Sequence, residues 1–360
     1  MWKSNALTRR LGLEVPIVQG PFGSGLSSVD LVAAVSNAGG LGSFGVHHLN
    51  GAGIRDVAAK IRARTDRPFA LNLWIPLHDS EDPQVDDDEF ARAIANLAPY
   101  FAELNLPVPN RPARFTPAFA EQMEAVLEAR PAVFSFVFGV PDARVLERCH
   151  DLGILTLGAA TTVDEAVSLE RAGVDAVVAS GFEAGGHRIS FLRPAEESLT
   201  GTLALTPQVV DAVNIPVVAA GGIADGRGIA AALCLGAQAA QIGTAFLACE
   251  ESAASELHRQ ALHSPQARDT ALTRAFTGRL ARGIRNRFVE ETRSIENGVP
   301  QYPVQAWLTG HLKKASIAQG RTDLMSLWSG QSAGLIRHHN AAALVAELVR
   351  DTSAALARVS

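Results

Sequence analysis

Two glycine-bearing segments in the second half of the chain have the makings of a phosphate cradle. Gly221-Gly222-Ile223-Ala224-Asp225-Gly226 follows the apolar run 215–220, and Gln241-Ile242-Gly243-Thr244 closes the run 239–242. Glycine lets the backbone approach a phosphate oxygen, N–H groups at a helix start donate to it, and the Thr244 hydroxyl adds a contact. Alone, Gly221-Gly222 reads equally as a tight turn; placed at the ends of two successive strands, the two segments read as a phosphate site. A third segment, Ser180-Gly181-Phe182-Glu183-Ala184-Gly185-Gly186-His187-Arg188, puts a histidine directly after a glycine pair. Beside a cofactor, His187 is a candidate acid or base; its other reading is a structural histidine. Glu183 either orients this loop through backbone N–H groups or joins the chemistry. Gln19-Gly20-Pro21-Phe22-Gly23-Ser24-Gly25 offers backbone for a flat ligand, or else a plain turn, and Asn72 offers an amide donor and acceptor.

These segments must be positioned by the short apolar runs they follow. The runs are 15–19, 41–44, 68–72, 132–136, 154–157, 175–179, 215–220 and 239–242. They are apolar almost throughout rather than alternating, which marks strands covered on both faces. Helical stretches separate them, and Gly39-Gly40, Gly153, Gly173 and Gly236 supply the left-handed residue that ends a helix. Eight strands alternating with helices predict an α/β fold, a (β/α)8 TIM barrel, with its site in the loops at the strands' C-terminal ends. The competitor is an open doubly wound sheet, but Gly23-Ser24-Gly25-Leu26-Ser27-Ser28 lacks the third glycine of the fingerprint such a sheet would carry.

Three connections are too long for single helices: 73–131, 180–214 and 245–320. The last predicts a small, mainly helical lid or substrate domain over 245–320, inserted after strand eight, with the barrel formed by 1–244 and 321–360. The stretch 323–359, amphipathic and alanine-rich, is expected to return as the eighth barrel helix. The acidic run Asp79, Glu81, Asp82 and Asp86-Asp87-Asp88-Glu89 reads as a solvated loop and helix N-terminus. No metal-ligand spacing accompanies it, so no metal is expected.

Composition narrows the function classes. In 360 residues, 47% are apolar and 19% charged, which supports a large core. A net charge of -5 offers no basic face for nucleic acid or an anionic membrane. Cys149, Cys234 and Cys249 are too scattered for a disulfide framework or a zinc site, so a reducing cytoplasm is the expected location. Residues 1–10 carry no apolar stretch of the kind a signal peptide needs, and no window approaches the roughly 18 uninterrupted apolar residues of a membrane helix.

Together, Ala179-Ser180-Gly181-Phe182-Glu183-Ala184-Gly185-Gly186-His187, Ala219-Ala220-Gly221-Gly222-Ile223 and Gln241-Ile242-Gly243-Thr244 resemble the nitronate monooxygenases, formerly called 2-nitropropane dioxygenases. Pro16-Ile17-Val18-Gln19, Asn72, Tyr302-Pro303-Val304-Gln305 and Met325-Ser326-Leu327-Trp328-Ser329-Gly330-Gln331 fit the same family, so the likeness runs from about residue 13 to residue 337. The resemblance implies non-covalent FMN, held by Gln19, Gly20, Pro21, Asn72, Ser180, Gly185, Gly186, Gly221, Gly222, Gln241, Ile242, Gly243 and Thr244. It makes His187 the active-site histidine and turns Phe22 and Tyr302 toward the substrate. The implied reaction is oxidation of alkyl nitronates, and of nitroalkanes, with O2 to a carbonyl compound and nitrite. Protonated His187 would hold the nitro oxygens; neutral His187 would remove the α-proton of a nitroalkane. The chain departs from many relatives at Ser180, where they carry glutamine, near Phe22, where they have methionine, and at Ile189, where they have glycine. The partners implied are a small-molecule substrate and O2, and a homodimer is compatible with the family.

Two rival readings remain at this level. One is an NAD(P)H-dependent reductase on the same flavin, acting on quinones or enoyl thioesters. Arg279, Arg282, Arg285 and Arg287 would then meet nucleotide phosphates, unless they pair with Glu290 and Glu291. The other is a flavin-free barrel isomerase or lyase that uses the phosphate site for its substrate.

Overall fold

The computed structural model describes residues 2–76 and 85–358. All eight apolar runs are strands: Ile17–Gln19, Gly42–Gly45, Phe69–Trp74, Val133–Val137, Leu155–Ala160, Ala176–Ser180, Val217–Ala220 and Ala239–Ile242. From the second to the eighth, each pairs in parallel with the next. The eighth pairs with the first, Ile17 lying opposite Ala240, and a parallel bridge between Val18 and Leu41 joins the first to the second. The sheet therefore closes into a barrel. Its interior is filled by one layer after another of Val18, Leu41, Ala70, Val133, Leu157, Val178, Val218 and Ala239. The opposite faces of the same strands, such as Leu71, Phe134 and Val177, pack on the helices. Burial on both faces is the physical reason that the strands do not alternate. Gly39, Gly153, Gly173 and Gly236 take φ of 88°, 71°, 89° and 93° where helices turn back toward strands.

The cap over the barrel mouth is built from more than one insertion. Segment 245–320 contains the helices Glu256–His263, Arg287–Thr292 and Val304–Ala318. It also contains an antiparallel hairpin, Thr270–Thr273 with Ala281–Ile284, whose second strand pairs with Gly186–His187. These strands are four residues long and carry Arg282 and Gly283, so the sequence shows no strand pattern there. The helix Asp87–Glu103 joins the cap, its Leu97, Tyr100 and Phe101 sharing a core with Phe288, Leu308 and Leu312. Asp86 caps this helix by accepting from the Glu89 N–H, and Asp87, Asp88 and Glu89 sit in the first turn, where the helix dipole favours negative charge. Asp79, Glu81 and Asp82 lie outside the described residues.

The tail differs from its expectation. Its α-helix is confined to Ala341–Ala357, packed on the helices Gly226–Cys234 and Val29–Asn37, with a single 3-10 turn at Ala333–Leu335. Residues 323–340 run instead as a loop across the barrel mouth, held where the Gly330 N–H donates to Thr244 and the Gln331 N–H to the Glu183 carbonyl. Among the described residues no helix is long and apolar enough to cross a membrane.

Candidate active site

Strands seven and eight end side by side, Ala220 opposite Gln241, and deliver Gly221-Gly222-Ile223 and Gly243-Thr244 to one cavity over the barrel mouth. Gly221 and Gly222 adopt φ of 101° and 68°, and a Cβ at Gly221 would lie 2.9 Å from the Gly181 carbonyl oxygen. Only glycine makes this turn without strain. The backbone N–H groups of Gly222, Ile223, Gly243 and Thr244 donate to no group among the described residues. Backbone donors left without partners around a cavity make an anion site. Gly243 and Thr244 stand at the start of the short helix Thr244–Leu247, whereas the helix Gly226–Cys234 is already capped by Asp225, which accepts from the Arg227 and Gly228 N–H groups. Thr244 Oγ1 accepts from the Gly330 N–H at 2.9 Å, which leaves its hydroxyl hydrogen to donate.

Gly20, Pro21, Phe22, Asn72, Ser180, Gly185, Gly186 and Gln241 line the same cavity. The Asn72 side-chain amide donates to the Ser135 hydroxyl at 3.0 Å, and its side-chain oxygen accepts from no group among the described residues. Two of the predicted residues do not reach the cavity through their side chains. Gln19 is fully buried; its carbonyl oxygen accepts from the Ser43 N–H at 2.9 Å and its amide donates to the Gly20 carbonyl. Ile242 is fully buried in the core, and its carbonyl accepts from the Gly20 N–H at 2.9 Å. They hold the backbone that lines the site. Glu183 has the orienting role: its carboxylate accepts from the Thr202 N–H at 2.9 Å and from the Thr202 hydroxyl at 3.0 Å.

The loop carrying His187 is fixed from below. Arg188 donates to the carbonyls of Gly181 and Ser198, each at 2.8 Å. The fully buried Glu165 accepts from the backbone N–H groups of Thr161, Phe191 and Leu192. A β-pair with Ala281 fixes His187 from above. The imidazole sits among rings, with centroids 4.9 Å from Trp74 and 5.4 Å from Trp328, both on the cavity wall. Its Nε2 lies 2.9 Å from Thr277 Oγ1, which is also 3.1 Å from the Arg279 carbonyl oxygen. All three groups are satisfied when the hydroxyl donates to that carbonyl and accepts from an Nε2–H. This tautomer leaves Nδ1 a bare acceptor, and Nδ1 is neither sealed nor hydrogen-bonded among the described residues. Burial, and then the charge of Arg279, push the His187 pKa down to about 3, so the ring is neutral at neutral pH.

Tyr302 stands one layer back, against Trp74 at 5.0 Å, and burial pushes its phenol up to about 12. Between Tyr302 and Phe138 lies the Arg279 guanidinium, 4.4 Å and 4.2 Å from the two ring centroids. His47 stacks on the far face of this group, 3.9 Å from Trp74. Trp74, Trp328, Gly330 and His47 carry no assignment from the sequence, and Arg279 enters there only among the four arginines of the reductase reading. Trp74 stands two residues beyond Asn72 on the same face of its strand, and Trp328 and Gly330 lie within the family-like segment 325–331, so only these three left a signal. The neighbouring arginines are committed elsewhere. Arg282 donates to the Phe182 carbonyl, Arg285 pairs with Asp269 and Glu290, and Arg287 with Glu103 and Asp323.

A closed (β/α)8 barrel with a cradle of unpartnered backbone donors after strands seven and eight and a neutral histidine among aromatic rings fits a flavin oxidoreductase, and the relatives place it in that class. The profile of the nitronate monooxygenase family matches residues 4–351, and the chain belongs to that family. It is 41% identical over 350 residues to a probable nitronate monooxygenase of Staphylococcus aureus, covering 97% of each chain. The structure of nitroalkane oxidase from Streptomyces ansochromogenes superposes with a TM-score of 0.89 at 39% identity, covering 99% of this chain and all of that one. FabK from Thermotoga maritima superposes with a TM-score of 0.76 at 28% identity, covering 99% and 98% of the two chains.

Proposed function

We propose that the protein oxidises alkyl nitronates, and the nitroalkanes from which they form, with O2 on FMN, giving a carbonyl compound and nitrite. The observation that carries this reading is His187: a neutral imidazole with a bare Nδ1, set in an aromatic pocket that opens on the glycine cradle. The unpartnered N–H groups of Gly222, Ile223, Gly243 and Thr244 fit a terminal phosphate, and the backbone of Gly20, Pro21 and Phe22 with Asn72, Ser180 and Gln241 fits a flat ring system. FMN bound there supplies the two-electron acceptor and the reaction with O2. The protein supplies the rest. His187 Nδ1 takes the α-proton of a nitroalkane, leaving the charge on the nitro group; a preformed nitronate skips this step. The lowered pKa favours this role over that of an imidazolium clamp. Trp74, Trp328 and Phe22 keep water from the reacting carbon. In this division of labour 1–244 and 321–360 hold the cofactor and 245–320 roofs the substrate.

The family name and the nitroalkane oxidase relative support both substrate forms. Three of the four arginines behind the reductase reading, Arg282, Arg285 and Arg287, already have partners, which weakens it. The test is aerobic turnover of ethylnitronate and nitroethane by the purified holoenzyme. Nitrite and acetaldehyde in equal amounts, with NADH and NADPH untouched, support the proposal. Oxidation of NAD(P)H without nitrite from either compound refutes it.

A further inference from the structure

Arg279 has no structural occupation. Its side chain makes no hydrogen bond or ion pair among the described residues, and its Nη1 is sealed from solvent without a partner. The fully buried arginines of this region behave differently from part-buried Arg279, since Arg188 donates to carbonyl oxygens and Arg282 to the Phe182 carbonyl and the Thr270 hydroxyl. A buried charge is costly unless something pairs with it, and the ring faces of Phe138, Tyr302 and Trp74 offset only part of that cost. Among the described residues no carboxylate faces it, and the titratable groups around it are His47, His187 and Tyr302, which burial keeps neutral, so none of these residues compensates the positive charge. Nε and Nη2 also lack partners among the described residues but are not sealed. Arg279 and His187 share Trp74 and Phe138 as neighbours, and Trp74 and His187 line the cavity, so the unpaired cation stands against the wall that also carries the bare acceptor.

We propose that Arg279 is the specificity-determining residue of this site, the fixed counter-charge for a small, planar, two-oxygen anion. A guanidinium presents two parallel N–H donors that match two oxygens on one atom, whether of a nitronate, a nitrate or a small carboxylate. The inference rests on the nitronate reading for its substrate but not for its ligand chemistry. It adds that inorganic nitrate and acetate bind in competition with substrate. It also assigns the preference for the anionic over the neutral substrate to Arg279 and proton removal to His187.

The test uses the holoenzyme as wild type, Arg279→Met and Arg279→Lys, with nitrate binding by calorimetry, KM for ethylnitronate and for nitroethane, and thermal melting. Arg279→Met should melt no lower than wild type, because it removes an unpaired buried charge. It should bind nitrate about 10- to 100-fold more weakly, the usual consequence of losing a hydrogen bond to a charged group. The ethylnitronate KM should rise in parallel, while that for nitroethane changes less than about threefold. Arg279→Lys keeps charge and fold but not the fork, and should recover part of the nitrate affinity. If Arg279→Met does not fold, nitrate affinity in Arg279→Lys equal to wild type overturns the proposal. So does unchanged nitrate affinity in folded Arg279→Met, and so does wild type that binds no nitrate. Nitrate binding lost with Arg279 in an enzyme that oxidises no nitronate upholds this inference and refutes the function proposed above; nitronate oxidation indifferent to Arg279→Met does the reverse.

Discussion

His187→Asn separates proton removal from every other role of the loop. Asparagine is polar and small enough for the space, but it has no basic nitrogen. The structural loss is bounded by what the ring touches: edge contacts to Trp74 and Trp328 and one hydrogen bond to Thr277. Those contacts are worth about 0.5–1.5 kcal/mol each, so the variant should lose about 2–3 kcal/mol and a few degrees of melting temperature. Flavin content should stay full, because the phosphate donors belong to the loops after strands seven and eight. With nitroethane, kcat/KM should fall by about 10²–10⁴, the range for a lost general base, while ethylnitronate, which carries no proton to remove, should lose less than about tenfold. The assay is steady-state nitrite release at neutral pH from each substrate, with bound flavin measured on the same preparations. Equal losses on both substrates would refute the base role, small ones making His187 structural and large ones assigning it to binding or electron transfer.

Two further outcomes follow from the same geometry. His187 and His258 are both pushed down to about 3 by burial, far under the ordinary histidine value of 6.5, so between those limits the unfolded chain binds protons that the folded chain refuses. Stability is therefore full above about pH 6.5 and is lost as pH falls toward 3, on the order of 1–2 kcal/mol per histidine at pH 5; melting curves from pH 7 to 4 should show the decline, and His258→Gln should flatten it, whereas a pH-independent melting temperature would contradict both assignments. Gly222→Leu puts a side chain into a cradle where φ is 68° and a Cβ already lies 3.2 Å from Glu183 Cβ, so the purified protein should be folded by circular dichroism yet colourless, and full flavin content would show that the phosphate does not sit there.

The barrel was legible because its causes are local. Strands buried on both faces are apolar residue after residue, as in 133–137 and 217–220, and a helix that turns back on a strand takes glycine, as at Gly153 and Gly173. The cradle was legible for the same reason, since Gly221-Gly222 and Gly243-Thr244 each follow a recognisable strand. What lay beyond reading was convergence. Trp74, Thr277, Tyr302 and Trp328 come from four distant segments, and nothing in the spacing of a loop says which ring it will meet. Gln19 shows what a strand-end position leaves open: its side-chain amide is used up on Ser43 and Gly20, so it serves the cavity only through the backbone it holds. The stretch 323–340 reads as helix only because alanine-rich Ala341–Ala357 follows it. Gly330 is in fact required there, where a Cβ would come within 2.9 Å of the Glu183 carbonyl oxygen. Arg279 could not be told from Arg282, Arg285 and Arg287 until their partners were seen.

The central claim is that a nitronate, and not a nicotinamide, delivers electrons to the flavin in this cavity. It is tested most directly by mixing the holoenzyme with ethylnitronate, NADH or NADPH in the absence of oxygen and following the flavin absorbance. Reduction of the flavin by ethylnitronate alone is expected, with nitrite released and the oxidised spectrum restored only once air is admitted, because O2 supplies the carbonyl oxygen. Bleaching by NADH or NADPH, with ethylnitronate leaving the spectrum unchanged, would contradict it.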